Sequence, residues 1–240
     1  MSEKVQKEFF ERIAARYDRR FCKSRWPRNQ QLKAGQVAKV LGDVVREGPV
    51  IEIGCGTGQI AGELLTANPG LRYVGSDLSP AMLDIARQRL APFEDRVTLC
   101  VAEQNTVPSS DGAYAGAFGV DVLHHVENPP KLLRHLRSTL RPGAPVVFLE
   151  GNPYFPVTTF IGLVQKEERG LFKMRPKILG PWFRNAGFEH VEVSLGPVYT
   201  PPGPEHFFGA LDWIDRTLAK TPVIRNLAIY FTAQGRAPES

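Results

Sequence analysis

The chain has 240 residues, 42% hydrophobic and 23% charged, a balance that fits one globular α/β domain with a core large enough to fold alone. No run of about eighteen apolar residues occurs and no hydrophobic stretch lies near Met1, so neither a membrane span nor a signal peptide is expected. Cys22, Cys55 and Cys100 are too few and too scattered for a disulfide framework or a zinc site; they point to a reducing cytoplasm and imply no metal.

The net charge of +5 has a location. Residues 1–50 carry twelve Lys or Arg against six Asp or Glu, whereas the other 190 residues carry eighteen against nineteen. The basic density peaks over residues 16–28, around Arg19, Arg20, Lys23 and Arg25. Such a run either meets an anionic substrate, nucleic acid or membrane headgroups, or is a solvated helical face. Within residues 1–50, Phe9, Phe10, Ile13 and Tyr17 recur at helical spacing, which predicts an amphipathic helix over residues 4–17. A second helix, over residues 29–45, places Leu32, Val37, Val40, Leu41 and Val44 against a sheet.

Val50, Ile51 and Ile53 form a short β-branched run that stops at Gly54, as a buried parallel strand entering a tight turn does. Gly54, Gly56 and Gly58 make a loop on which a ligand can lie against bare backbone, and a helix follows over 58–67. The next strand, 71–76, ends at Asp77, which is 19 residues after Gly58. That is the spacing at which a nucleotide-binding α/β unit sets a carboxylate on a ribose. The loop is Gly-x-Gly-x-Gly rather than the pyrophosphate-binding Gly-x-Gly-x-x-Gly, and Glu52 stands two residues before it. A carboxylate there repels a pyrophosphate and attracts a cationic amine or sulfonium.

Ser79 and Pro80 read as N-cap and first residue of a helix over 80–91, followed by strand 96–101. Strand 114–120, helix 130–140 and strand 144–149 continue the alternation, which predicts a parallel sheet with helices on both faces and a ligand at the carboxyl ends of the strands. His124 and His125 follow the fourth strand directly. A neutral imidazole there can take a proton from a hydroxyl; alternatively the pair only shapes the loop. Glu150, at the tip of the fifth strand, is the alternative base. Residues 151–160 read as a stiff aromatic loop roofing the site. The helix after Pro201, Pro202, Gly203 and Pro204 carries Phe207, Phe208, Leu211, Ile214 and Leu218 on one stripe. These aromatics either line an acceptor pocket for a ring or prenyl-like chain or belong to the core. Strands over 188–195 and 226–233 complete the chain.

Val50-Ile51-Glu52-Ile53-Gly54-Cys55-Gly56-Thr57-Gly58 resembles the first motif of the class I S-adenosylmethionine-dependent methyltransferases. Val74-Gly75-Ser76-Asp77-Leu78-Ser79-Pro80-Ala81-Met82-Leu83 is similar to the family's second strand and next helix, which implies that Asp77 binds both ribose hydroxyls. Val101-Ala102-Glu103-Gln104 resembles the adenine-binding segment, where the family usually has Gly-Asp-Ala; Glu103 is then the acid on the exocyclic amine and Gln104 supplies the backbone amide. The run from Asp121 to Val126, with Asn128-Pro129 and Leu140-Arg141-Pro142-Gly143, resembles the branch containing the ubiquinone/menaquinone and natural-product methyltransferases. The aspartate common after the aromatic of the fourth strand is Ala115 here. Tyr17-Asp18 looks like the pair with which an N-terminal helix closes over the cofactor.

The resemblance implies a Rossmann-like sheet of seven strands, mostly parallel, with the last antiparallel. The cofactor is then S-adenosylmethionine, held by Tyr17, Glu52, Gly54, Cys55, Gly56 and Gly58 on the loop side. Asp77, Leu78, Met82, Glu103, Gln104 and Val120 complete that set, and His124, His125 and Glu150 are the catalytic candidates. One domain is expected over 1–240, with a helical cap (1–48), a cofactor-binding core (49–150) and an acceptor-side part (151–240). The partner is a small-molecule methyl acceptor of hydrophobic, aromatic or lipid-like character. Peripheral contact with a membrane stays open, while nucleic acid is disfavoured by the lack of an added RNA-binding domain. The rivals are a nicotinamide oxidoreductase, an RNA methyltransferase using the basic N-terminal segment, and a nucleotide-binding protein without methyl transfer.

Overall fold

The computed structural model describes residues 3–21, 27–103, 105–108, 114–196, 207–221 and 224–239. Strands β1 (Pro49–Ile53), β2 (Arg72–Asp77), β3 (Val97–Val101), β4 (Gly116–Val120), β5 (Pro145–Gly151), β6 (Glu189–Leu195) and β7 (Tyr230–Arg236) form one sheet. Their order is β3-β2-β1-β4-β5-β7-β6. Only β7 runs antiparallel to its neighbours, β5 and β6. The strand order reverses between β1 and β4, so a crevice opens at their carboxyl ends, as expected of a doubly wound sheet.

Around the sheet lie α1 (Glu3–Phe21), α2 (Pro27–Leu41), α3 (Gln59–Ala67), α4 (Pro80–Leu90), α5 (Pro129–Thr139), α6 (Pro156–Val164), α7 (Pro176–Asn185) and α8 (Phe208–Ala219). Alternation along the strands sorts the core into two layers. Ile51, Ile53, Ala117 and Phe148 pack with Leu132 and Leu136 of α5 and Phe183 of α7. Val50, Phe118, Val147 and Leu149 pack on the other face with Val37 and Leu41 of α2 and Ile60 and Leu64 of α3. Each buried Val, Leu, Ile or Phe among them contributes about 1.5–3 kcal/mol by leaving water. Ser79 caps α4, its hydroxyl accepting the Met82 amide at 3.3 Å, with Pro80 at the first helical position.

Two expectations need correction. The segment 151–160 is not a loop throughout, because Pro156 opens α6 with its φ preset for a helix. The last strand starts at Tyr230, four residues later than expected. Before it, the carbonyls of Asn226 and Ala228 accept from the Asn152 side chain at 3.0 and 2.7 Å, which diverts them from the ladder. Helix α7 was not anticipated at all. The turn 201–204, Lys23, Arg25 and Gln104 lie outside the described residues.

Two cations of α2, Arg28 at the end of the basic run and Lys33 beyond it, turn inward. Arg28 is 4% exposed and binds both Asp212 and Asp215, which ties α2 to α8. Lys33 is buried beside Asp121, with its Nζ 2.5 Å from Oδ2 and 4.3 Å from the centre of the Tyr230 ring. Burial opposes the charge on Lys33, but Asp121 outweighs it and raises the ammonium's pKa. At these two positions the charge is structural rather than a solvated face.

Candidate active site

A cleft of about 790 Å³ opens where β1, β2 and β4 end. Gly56, in the left-handed region at φ 52°, presents bare backbone to it, and a Cβ there would meet nothing within 4 Å. The other two loop glycines answer to packing. A Cβ on Gly54 would lie 2.4 Å from Val122 Cγ2, and one on Gly58 would press Leu90 and Ala86 at 3.1 and 3.3 Å. Asp77 closes the floor: its Oδ2 accepts the Gly56 amide at 2.8 Å and its Oδ1 the Ser79 amide at 2.9 Å. Each carboxylate oxygen keeps a further lone pair for a ligand hydroxyl. Burial raises the Asp77 pKa from its ordinary value, opposed in part by the Ser79, Gly56 and Leu78 amides.

Tyr17, Gly54, Leu78, Met82, Glu103 and Val120 line the same cleft. Asn105, which no pattern singled out, lines it too, in the left-handed region at φ 63° and with a buried Oδ1 that has no partner among the described residues. Glu52 does not reach the cleft. Strand alternation turns its side chain to the opposite layer, where it accepts the Tyr73 hydroxyl at 2.5 Å. Burial pushes its pKa up to about 8, so the expected attraction between a Glu52 carboxylate and a ligand cation has no geometric basis. Cys55 is also buried away from the cleft, its amide bonded to the Ser76 carbonyl at 2.9 Å, and Gly58 sits behind the loop.

The N-terminal helix is fastened to the glycine loop through Asp18. One carboxylate oxygen accepts from Thr57 Oγ1 at 2.7 Å and from Gln59 Nε2 at 2.9 Å, and the other pairs with Arg89 of α4. Tyr17, beside it, therefore stands as a wall of the cleft.

A second cleft, of about 1360 Å³, adjoins the first. Phe10, Tyr17, Asp121 and His125 line both. Its far walls are Lys33 of α2, Phe155 and Ile161 near α6, and Tyr230 of β7. His124 is 7% exposed at its edge, with Nδ1 2.6 Å from Glu150 Oε2 and Nε2 3.2 Å from Glu168 Oε2. Burial disfavours the imidazolium, yet the two glutamates outweigh it and push the His124 pKa up to about 10. His124 is thus a cation at neutral pH, which corrects the expectation of a neutral imidazole ready to take a proton.

His125 carries the neutral ring. Burial and the neighbouring imidazolium push its pKa down to about 3, and Phe10 packs edge-on against it at 5.0 Å. Glu168 was missed in the sequence because its segment, Lys-Glu-Glu-Arg, has no periodicity and reads as exposed. His124, His125 and Glu168 also bring three potential metal-ligating atoms within 4.8 Å of one another.

A glycine loop with one residue open to the ligand, a pinned carboxylate one strand away and apolar walls between them fit a nucleoside. Residues 51–146 match the family described as a methyltransferase domain. The match takes in β1 to β4 with the glycine loop but less than half of the chain, so this stretch is similar to a methyltransferase domain and carries the fold of the solved enzyme named below.

Among particular proteins, the demethylmenaquinone methyltransferase of Symbiobacterium thermophilum is 29% identical over 164 residues, covering 64% of this chain and 61% of that one. The polyketide synthase component of lovastatin nonaketide synthase from Aspergillus terreus is 35% identical over 108 residues, 42% of this chain and 4% of that one. The chain thus spans less than two thirds of these relatives. A solved S-adenosylmethionine-dependent methyltransferase from Thermotoga maritima, a possible histamine N-methyltransferase, superposes with a TM-score of 0.68 at 20% identity, covering 97% of this chain and 99% of that one.

Proposed function

We propose that the protein transfers the methyl group of S-adenosylmethionine to a hydroxyl or acidic carbon of a small, mainly apolar or aromatic acceptor. The carrying observation is the shared wall: Phe10, Tyr17, Asp121 and His125 line both clefts, so donor and acceptor held in them meet there. The cofactor supplies an electrophilic methyl on a sulfonium whose charge is lost as the bond forms. Alignment of two bound reactants can supply about 7–11 kcal/mol of the barrier reduction. In this reading residues 1–48 cap the clefts, 49–150 hold the cofactor and 151–240 shape the acceptor side.

An acceptor that loses a proton needs somewhere to send it. The His124 imidazolium lies between the Glu150 and Glu168 carboxylates, a group of net charge −1. Glu168 lines the acceptor cleft and takes the proton without building excess positive charge, while Glu150 and His124 hold it in position. His125 is too weakly basic for the task. The apolar character of Phe9, Phe10, Ile13, Phe155 and Ile161 around the second cleft favours a ring or a prenyl-like chain over a small polar amine.

The test is incubation with methyl-labelled cofactor and, in separate tubes, a reduced prenylated quinone and phosphoethanolamine. Label on the quinol is expected; label on the amine alone would overturn the acceptor class. Thermal stabilisation by S-adenosylmethionine and not by NAD checks the donor independently.

A further inference from the structure

Helix α6 is amphipathic in the reverse sense. Its buried residues are Thr158 and Gly162, and its outward stripe is Val157, Phe160, Leu163 and Val164, with Phe160 and Leu163 each 63% exposed. The helix carries no charged residue. Gly162 explains the close seat: a Cβ there would press the Phe172 ring at 3.1 Å, so the helix lies flat on the segment that follows it. A surface helix that hides its small residues and shows its large apolar ones marks an interaction face.

The charges around this face are sorted by sign. From Tyr154 to Lys177 the cations Lys166, Arg169, Lys173, Arg175 and Lys177 are all exposed, whereas the only acids, Glu167 and Glu168, are partly buried. Arg175 lies 5.7 Å from the centre of the exposed Tyr154 ring, which brings a cation to the start of the helix. We propose that α6 docks on a membrane surface bearing anionic headgroups. Phe160 and Leu163 then enter the boundary between headgroups and acyl chains, and the surrounding cations meet lipid phosphates. A second copy of this chain fits the face poorly, because a two-fold contact would set these cations against themselves.

The face borders the acceptor cleft, since Val157 belongs to both the exposed stripe and the cleft lining. A lipid-like acceptor therefore has a short path from the bilayer to the shared wall. This delivery role rests on the acceptor class proposed above, whereas docking does not.

The experiment is co-sedimentation of the full chain with vesicles of pure phosphatidylcholine and of equimolar phosphatidylcholine and phosphatidylglycerol. Binding is expected only to the second and should weaken as salt rises. The double variant Phe160→Ser, Leu163→Ser should weaken it by about 10- to 100-fold. Lys166→Gln, Arg169→Gln and Lys173→Gln should each weaken it about fivefold. Equal binding to both vesicles, no binding to either, or unchanged binding by the double variant would overturn the proposal. So would sedimentation analysis showing a dimer that the double variant dissociates. Turnover of an acceptor dispersed in detergent, which the double variant should retain, judges the acceptor class separately from the vesicle result.

Discussion

Glu150 binds His124 with one oxygen and the backbone of the same turn with the other: Oε2 lies 2.6 Å from Nδ1, while Oε1 accepts the Val122 and Leu123 amides at 3.1 and 2.7 Å. A single buried carboxylate at the end of β5 thus sets both the path of the loop after β4 and the charge of its histidine. Glu150→Gln keeps an oxygen for the amides but removes the charge that sustains the imidazolium. The turnover rate is expected to fall by about 10²- to 10⁴-fold with cofactor affinity unchanged. A loss under tenfold in steady-state assays at saturating cofactor would assign the pair to structure alone.

Stability should decline on the alkaline side. The folded pKa of His124 is about 10, above the 6.5 of the free ring, so its contribution is full below pH 6.5 and is lost as pH rises through 10. Glu52, at about 8 against 4.5, also favours the fold in its protonated form and loses that contribution as pH rises through 8. His125, lowered to about 3, acts oppositely, and its contribution fades as pH falls below 6.5 toward 3. Urea unfolding from pH 4 to 10 should show a maximum between these flanks, and His124→Gln should flatten the alkaline one. A profile that rises steadily to pH 10 would contradict the buried cation.

Asp77→Ala should weaken cofactor binding by about 10- to 100-fold, since hydrogen bonds to a charged group are worth about 1.5–3 kcal/mol. The substitution also frees the amides of Gly56 and Ser79, so a smaller loss of melting temperature should accompany it. Calorimetric titration with S-adenosylhomocysteine is the measurement, and unchanged affinity in a folded variant would remove Asp77 from the ribose.

The glycines should separate affinity from stability. Gly56→Val places a branched side chain in open cleft space and should abolish cofactor binding while the protein still folds, with some backbone strain from its positive φ. Gly58→Ala pushes on Leu90 and Ala86 behind the loop and should lower the melting temperature more than it lowers affinity. Titration and thermal melts on both variants check this, and equal effects on binding would mean that Gly56 is not the open face of the loop.

The sheet was legible in the chain because its signals are local. The β-branched run at Val50, the glycines after it, Ser79 with Pro80, and the alternation of strands and helices each report on a few neighbouring residues, and the strands through β5 follow; the count of seven with an antiparallel strand came from the family resemblance. Asp77 at the end of β2 was readable for the same reason, as a carboxylate at a fixed distance from a glycine loop. Glu52 was misread because motif position names a residue without saying which side of the strand it faces. One step of alternation sends its carboxyl to Tyr73 instead of the ligand.

The charge on His124 could not be read from the sequence, because it depends on Glu150 and Glu168, 26 and 44 residues away. Nor could the outward face of α6, whose residues look like core until the packing of Gly162 on Phe172 shows which side is buried. Backbone pattern is a property of adjacent residues, and the chain determines it directly. Protonation and exposure are set by whatever distant segments bring alongside, and only the tertiary structure decides them.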